Sequence, residues 1–294
     1  MAFFSPSLSR KDLSKYSFNQ LSFDNGLSVN YRELGPGGRL TLLCFHGGGD
    51  SLSAWDAWAE VLSKNYHLIL VDLPGHGLTD PLPGKTYTPK YFADFIAQFI
   101  QEMQLDNFAI VGHSFGGNGV LHYLTKHPDT PKAAILVSPG GYKCGKGLEM
   151  APGLAKFVIS YWGRRLVSHL GSRGILRKML RSNFFYDPYA LPEKMVERIY
   201  LLSRYEKNRG TAINLVANAT TNFQPLSGLE KIKIPVLFIW GVEDKIIPVD
   251  VGRYFVDNVP GAKIIIYKKV GHMPHVENAE ASAQDAYDFL NKLE

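Results

Sequence analysis

The chain has 294 residues, 45% of them hydrophobic and 20% charged, with a formal charge of +5. That balance is the one expected of a folded globular protein with a sizeable apolar interior. It excludes a low-complexity or disordered chain. No apolar run approaches the roughly 18 residues of a membrane span, the modest net charge does not favour nucleic acid, and two cysteines make no disulfide framework or metal-ligand spacing.

Met1-Ala2-Phe3-Phe4-Ser5-Pro6 has only a short apolar patch, so no secretory signal is read and a cytoplasmic protein is expected. Asp24-Asn25-Gly26 is a turn signal between two strand-like stretches, Tyr16 to Phe23 and Leu27 to Tyr31, which predicts an opening hairpin. Leu40 to Phe45 is apolar on both faces, as in a sheet covered on both sides, and leads into His46-Gly47-Gly48-Gly49-Asp50. A helix capped by Ser51 or Ser53 follows, to about Lys64, and then a buried strand from His67 to Val71. After Asp72-Leu73-Pro74-Gly75-His76-Gly77, Thr88-Pro89 marks a helix start. The apolar side chains behind it, Phe92, Phe95, Ile96, Phe99, Ile100 and Met103, are read as core packing.

The run Phe108 to Val111 is the next strand, followed by Gly112-His113-Ser114-Phe115-Gly116-Gly117 and a helical pattern to about Lys126. Lys132 to Val137 is another strand. From Gly140 to about Thr221 the sequence shows helical patterns and no clear strand. The alternation then resumes with a strand at Val236 to Trp240, a helix at Val249 to Val259, a strand at Ala262 to Tyr267 and a helix at Ala279 to Leu290. Such alternation implies a mostly parallel, doubly wound sheet with right-handed crossovers. The interruption reads as a helical cap of residues 140–221 inserted into a core of residues 1–139 and 222–294.

Strand, Gly-x-Ser-x-Gly and helix together resemble the nucleophile elbow of the α/β-hydrolase fold superfamily, whose triad follows the order serine, acid, histidine. A serine needs a base at neutral pH, and histidine is the natural one. His272, in the loop after the last strand, is the candidate, with His275 its close rival. His46 and His113 sit in glycine turns suited to structural hydrogen bonds, and His76 is placed to line a pocket. His67 begins a strand, while His122, His127 and His169 lie on predicted helices. The orienting acid falls in Gly241-Val242-Glu243-Asp244, where the resemblance favours Asp244 over Glu243. Backbone N–H groups of Phe115 and of Gly48, with Gly49 the alternative, are the expected oxyanion donors. Gly47, Gly49, His113, Arg198 and Met273 are the candidate substrate contacts.

From Lys143 to Arg181 nine Lys or Arg face one acid, Glu149, among the aromatics Phe157, Tyr161, Trp162, Phe184, Phe185 and Tyr186. The plainer reading is an apolar underside with a solvated basic face. The functional ones are an acidic substrate or an anionic membrane surface. Part of the cap, Asp187-Pro188 to Arg198, resembles the lid of carbon–carbon bond hydrolases of ring-fission products, in which Arg198 matches an arginine that meets an acidic substrate. His113 and Met273 stand where that group has Asn and Trp. Epoxide hydrolases and haloalkane dehalogenases resemble this scaffold but use an aspartate nucleophile, so Ser114 argues against them, and aminopeptidases of this fold want acidic cap residues where this cap is basic. The expectation is a serine hydrolase of a carboxylic ester that uses no cofactor or metal. Its alternatives are carbon–carbon hydrolysis of a vinylogous diketo acid, and a hydrolase-like receptor for a small ligand. The sequence does not set the oligomeric state.

Overall fold

The computed structural model describes residues 6–37, 40–81, 87–142, 171–211 and 226–292. Strands β1 (Asn19–Ser22), β2 (Ser28–Leu34), β3 (Thr41–Phe45), β4 (His67–Val71), β5 (Phe108–His113), β6 (Ala134–Val137), β7 (Val236–Gly241) and β8 (Lys263–Tyr267) form one eight-stranded sheet. Its order is β1-β2-β4-β3-β5-β6-β7-β8, antiparallel at β2 and parallel from β4 onward. The continuous apolar strands are those buried on both sides: every residue of β3, β5, β6 and β7 is buried.

The α-helices are α1 (Asp56–Leu62), α2 (Pro89–Glu102), α3 (Ser114–Lys126), α4 (Arg173–Asn183), α5 (Glu193–Leu202), α6 (Val249–Asn258), α7 (Pro274–Glu277) and α8 (Ala279–Asn291), with 3-10 turns at Ser14–Tyr16, Leu52–Trp55 and Leu229–Lys231. Period-two alternation sends Leu43 and Phe45 of β3 to one face, where α2, α3 and α6 pack. Leu42 and Cys44 point to the other, against α1 and α8. The aromatic stripe of α2 is core, with Phe92, Phe95, Ile96, Phe99 and Ile100 all buried. Thr88 caps that helix by accepting the Tyr91 N–H at 3.1 Å.

Three local expectations change. The first strand begins at Asn19, because the Asn30 side chain takes the Tyr16 carbonyl and the Phe18 N–H and so replaces ladder pairing there. Neither Ser51 nor Ser53 caps the next helix. A 3-10 turn, Leu52–Trp55, precedes it, and the Leu52 N–H is taken by the Asp72 carboxylate at 2.7 Å. A short helix, α7, follows His272 where only a loop is expected.

Between β6 and β7 the described residues hold the α-helices α4 and α5, a 3-10 turn at Leu229–Lys231, and no strand. Leu180, Phe185, Leu191, Met195 and Val196 form an apolar cluster of their own with Met273. Cys144, Glu149, Phe157, Tyr161, Trp162, Leu166, His169 and the basic residues from Lys143 to Arg165 lie outside the described residues. Of the remaining basic side chains, Arg177 is bidentate on Glu193 at 2.8 Å and Arg173 meets Glu197 at 2.9 Å.

Candidate active site

Strand β5 runs directly into α3, and the residue at the junction, Ser114, has φ 50°. A non-glycine residue in that region carries about 1–3 kcal/mol of strain. The surrounding backbone leaves the turn no slack: a Cβ on Gly116 would lie 2.3 Å from the His46 carbonyl oxygen, and one on Gly112 would lie 2.7 Å from the Gly117 Cα. Glycine at both positions is thus required by the approach of β3 and α3, and the serine hydroxyl is carried to the end of the central strands.

His272 follows β8. Its Nε2 lies 2.9 Å from Ser114 Oγ and its Nδ1 lies 2.7 Å from Asp244 Oδ2. The Asp244 carboxylate follows β7, and its other oxygen accepts the Ile246 and Ile247 N–H groups, both at 2.9 Å. A carboxylate only accepts, so Nδ1 carries the proton and Nε2 is left to accept from the serine hydroxyl. All three side chains are thereby ordered into one chain of hydrogen bonds, with the imidazole and carboxylate nearly sealed from water. Such a chain can take a proton from serine as it attacks and hold the resulting imidazolium beside an anion.

The loop that carries His272 is itself fastened by groups to which the sequence assigns no such role. The His272 N–H donates to the Phe184 carbonyl at 2.7 Å, and Glu243 Oε2 accepts the Val270 N–H at 3.1 Å. Glu277 accepts the Gly271 N–H on one oxygen and both the Tyr186 and Asp187 N–H groups on the other. Nothing but a carboxylate five residues after the histidine could have pointed to it.

Gly47, Gly48 and Gly49 connect β3 to the Leu52–Trp55 turn. The Asp50 N–H donates back to the Gly47 carbonyl at 3.3 Å, and Gly49 has φ 81°. At the loop's start His46 is buried: its Nε2 accepts the Leu73 N–H and its Nδ1 faces the Gly47 carbonyl, so it is a neutral structural group whose pKa burial pushes well down. Phe115, the second residue of α3, has an N–H with no acceptor in its own helix. Its ring packs edge-on against Phe92.

The other expected contacts are placed differently. His113 is buried, shares a 3.0 Å hydrogen bond between its Nε2 and the His272 carbonyl, and lies between the rings of His272 and His275, tilted by 50° to each. Its ring fills the space beside Gly47, where a Cβ would meet Nδ1 at 2.6 Å. Met273 belongs to the apolar cluster with Phe185 and Met195. Arg198 is 7% exposed and paired with Asp50 at 2.9 Å, its other terminal nitrogen donating to the Ser53 carbonyl. All three therefore have structural partners, and the arginine is already answered by a carboxylate.

His275 does not reach the serine's partner position. It lies buried between Trp55 and His113, its pKa lowered by burial to about 3. His76 is likewise buried, against His46, and lowered to about 4. Asp72, which accepts from Leu52, Leu78 and Asn30, is pushed up by burial to about 6. Among the described residues no group of three or more His, Cys, Asp or Glu is arranged to hold a metal ion, and no helix is long and apolar enough to cross a membrane.

A family model described as alpha/beta hydrolase fold matches residues 41–279. The chain is 27% identical over 290 residues to a 2-hydroxy-6-oxononadienedioate/2-hydroxy-6-oxononatrienedioate hydrolase of Paraburkholderia phymatum, covering 95% of this chain and 96% of that one. It is also 27% identical over 266 residues to a monoacylglycerol lipase of Xenopus laevis, covering 88% and 77% of the two chains. Among solved structures, a meta-cleavage product hydrolase from Pseudomonas fluorescens superposes with a TM-score of 0.79 at 19% identity, over 95% of this chain and 100% of that one.

Proposed function

The chain belongs to the α/β-hydrolase fold family, and from that premise we propose that it is a serine hydrolase that cleaves a carboxylic ester through an acyl-enzyme. The observation that carries this reading is the unbroken hydrogen-bond chain from Ser114 Oγ through His272 to Asp244, with distances of 2.9 Å and 2.7 Å. Ser114 attacks the ester carbonyl while His272 Nε2 takes its proton. Asp244 holds the imidazole in the required tautomer and stabilises the imidazolium. The N–H groups of Phe115 and Gly48 face the developing oxyanion, which in a water-poor site is the largest single contribution to the rate. Protonated His272 then returns its proton to the leaving alcohol, and a water that it deprotonates releases the acid. Residues 140–221 act as the cap over this site, on a core made of residues 1–139 and 222–294. The substrate is a small molecule, and the reaction needs no cofactor.

A second reading, hydrolysis of a carbon–carbon bond in a vinylogous diketo acid by the same three residues, draws support from the likeness to the Paraburkholderia phymatum enzyme over nearly the full length. It requires a cation for the substrate carboxylate. The arginine that the resemblance offers is already neutralised by Asp50, and this favours the ester.

The test is hydrolysis of a p-nitrophenyl ester series of increasing acyl length by the wild type and Ser114→Ala. Multiple turnovers are expected from the wild type, with a loss on the order of 10⁴- to 10⁶-fold in the variant. Turnover of a vinylogous diketo acid but of no ester would establish the second reading. A single equivalent of product from either would point to a receptor.

A further inference from the structure

Asp50 and Arg198 form a buried ion pair between two parts of the chain that the sequence keeps 148 residues apart. Asp50 closes the glycine run: its N–H returns to the Gly47 carbonyl, and its Oδ1 accepts both the Ser51 N–H at 2.8 Å and the Arg198 guanidinium at 2.9 Å. Arg198 lies in the middle of α5 and makes a second anchor on the Ser53 carbonyl at 3.0 Å. Among the described residues the glycine run is also fastened from the core, by His46, which meets both the Leu73 N–H and the Gly47 carbonyl, and by Asp72 on the Leu52 N–H. Of these fastenings, only the ion pair comes from the segment between β6 and β7.

Three glycines in a row do not hold a backbone conformation by themselves, since each has wide φ and ψ freedom. A donor that must already point at the oxyanion before reaction needs external fixing, because reorientation during the reaction would consume the stabilisation it offers. We infer that Arg198 is a positioning residue for the oxyanion loop: through Asp50 it holds Gly48 and Gly49 in place, and it does not bind a substrate carboxylate. The inference rests on the ester-hydrolase reading. It makes helix α5 part of the machinery that completes the site, through a contact with the loop and none with the substrate.

The experiment compares Arg198→Gln, Arg198→Lys and Asp50→Asn in the full chain. Each is assayed on a neutral ester, p-nitrophenyl butyrate, and on an acidic one of similar reach, mono-p-nitrophenyl succinate. Inhibition is measured with a trifluoromethyl ketone, whose adduct carries the oxyanion, and with butyrate, which has no tetrahedral centre. For Arg198→Gln we expect kcat to fall about 10- to 100-fold on both esters, somewhat less than the loss of a whole oxyanion donor. KM should stay within about threefold, and the ketone should weaken in parallel with kcat while butyrate binding holds. Arg198→Lys should recover part of the loss, and Asp50→Asn should reproduce it. The double variant should be no worse than the poorer single one, as for groups acting as a unit. A loss confined to the acidic ester, or a rise in its KM alone, would overturn the inference in favour of substrate contact. An unchanged kcat per titrated serine would overturn it outright. Arg198→Lys and Asp50→Asn keep the test open if Arg198→Gln does not fold. Absence of Ser114-dependent turnover on either ester would instead defeat the ester reading. The rate of Ser114 labelling by a fluorophosphonate then decides the positioning role of Arg198, which fails if wild type, Arg198→Gln and Asp50→Asn label equally.

Discussion

The serine side of the site is held by backbone crowding, the histidine side by crowding together with a set of side-chain hydrogen bonds. Ser114 sits where the central strand β5 meets α3, and its position is enforced by backbone crowding at Gly112 and Gly116. His272 sits past β8, the edge strand, and although its loop is crowded too, a Cβ on Gly241 falling 2.1 Å from the Val270 carbonyl oxygen, crowding does not act alone there. It is also held by hydrogen bonds: the Phe184 carbonyl on its own N–H, Glu243 on Val270, and Glu277 on Gly271. Steric fixing is read in the glycines, because only one residue type satisfies it. Fixing by carboxylates is nearly invisible, because an acid that clamps a loop looks in sequence like an acid that faces water.

The largest expected effect breaks the serine side. Gly116→Ala places a methyl group 2.3 Å from the His46 carbonyl and 2.9 Å from that of Phe45, so β3 or the elbow must move. We expect more than a 10²-fold fall in ester kcat/KM and a stability loss of about 3 kcal/mol, the upper range for overpacking. Both can be read in one preparation by steady-state rates and thermal unfolding. A fully active variant would show that the elbow is not sterically fixed.

The bridge between the two sides is next. His113 precedes the serine, bonds to the His272 carbonyl and packs at a tilt against His275. The imidazoles of His46, His76, His113 and His275 all have pKa values lowered by burial. A lowered histidine pKa means that the unfolded chain binds protons more readily. Its contribution to stability is therefore complete above about pH 6.5 and is lost as pH falls toward about 4 for His76 and about 3 for His275. Asp72, raised to about 6, works in the opposite sense. It takes up its proton more readily when folded, so it costs stability as pH rises between about 4 and 6. Burial raises Asp56 and Glu277 in the same sense as Asp72, but the four histidines outnumber these three acids, and each contributes about 1.4 kcal/mol per pH unit across its window. The unfolding midpoint should drop steeply between pH 6 and 4, and His275→Phe should flatten that drop by one proton's worth of slope. An unchanged slope would mean that His275 is not buried as a neutral ring.

The smallest effect sharpens the histidine side. Glu277→Gln replaces an acceptor by an amide NH₂ that must face either Gly271 or the Tyr186 and Asp187 pair, all of them donors. We expect kcat to fall about tenfold, equivalent to roughly 1.4 kcal/mol, with KM little changed. Rates normalised by active-site titration separate this from partial unfolding.

Much of the sheet was legible because strands covered on both faces are apolar throughout, and the β3, β4, β5, β6 and β7 runs say so directly. The residues that meet, Ser114, Asp244 and His272, each follow a strand in the order the elbow implies. The cap was read less well. Counting charge from Lys143 to Arg181 overstates its basic surface, since Glu193 and Glu197, which answer Arg177 and Arg173, lie one helix further on. Arg198 carries the same lesson. Its partner is an aspartate far away in sequence, and a motif match to a substrate-binding arginine says nothing of a carboxylate already in place.

The close seat of Gly271 bears on how such molecules can be recombined. A Cβ there would lie 2.4 Å from the Phe184 carbonyl oxygen, and the neighbouring Glu277 holds residues 186 and 187. Residues 184–187 are thus mechanically part of the frame around the base, although the chain delivers them from between β6 and β7. A chimaera that exchanges the whole stretch between β6 and β7 takes away a piece of the frame around His272 along with it. Splice points on the α4 side of Phe184 and beyond Asp187 leave that frame intact.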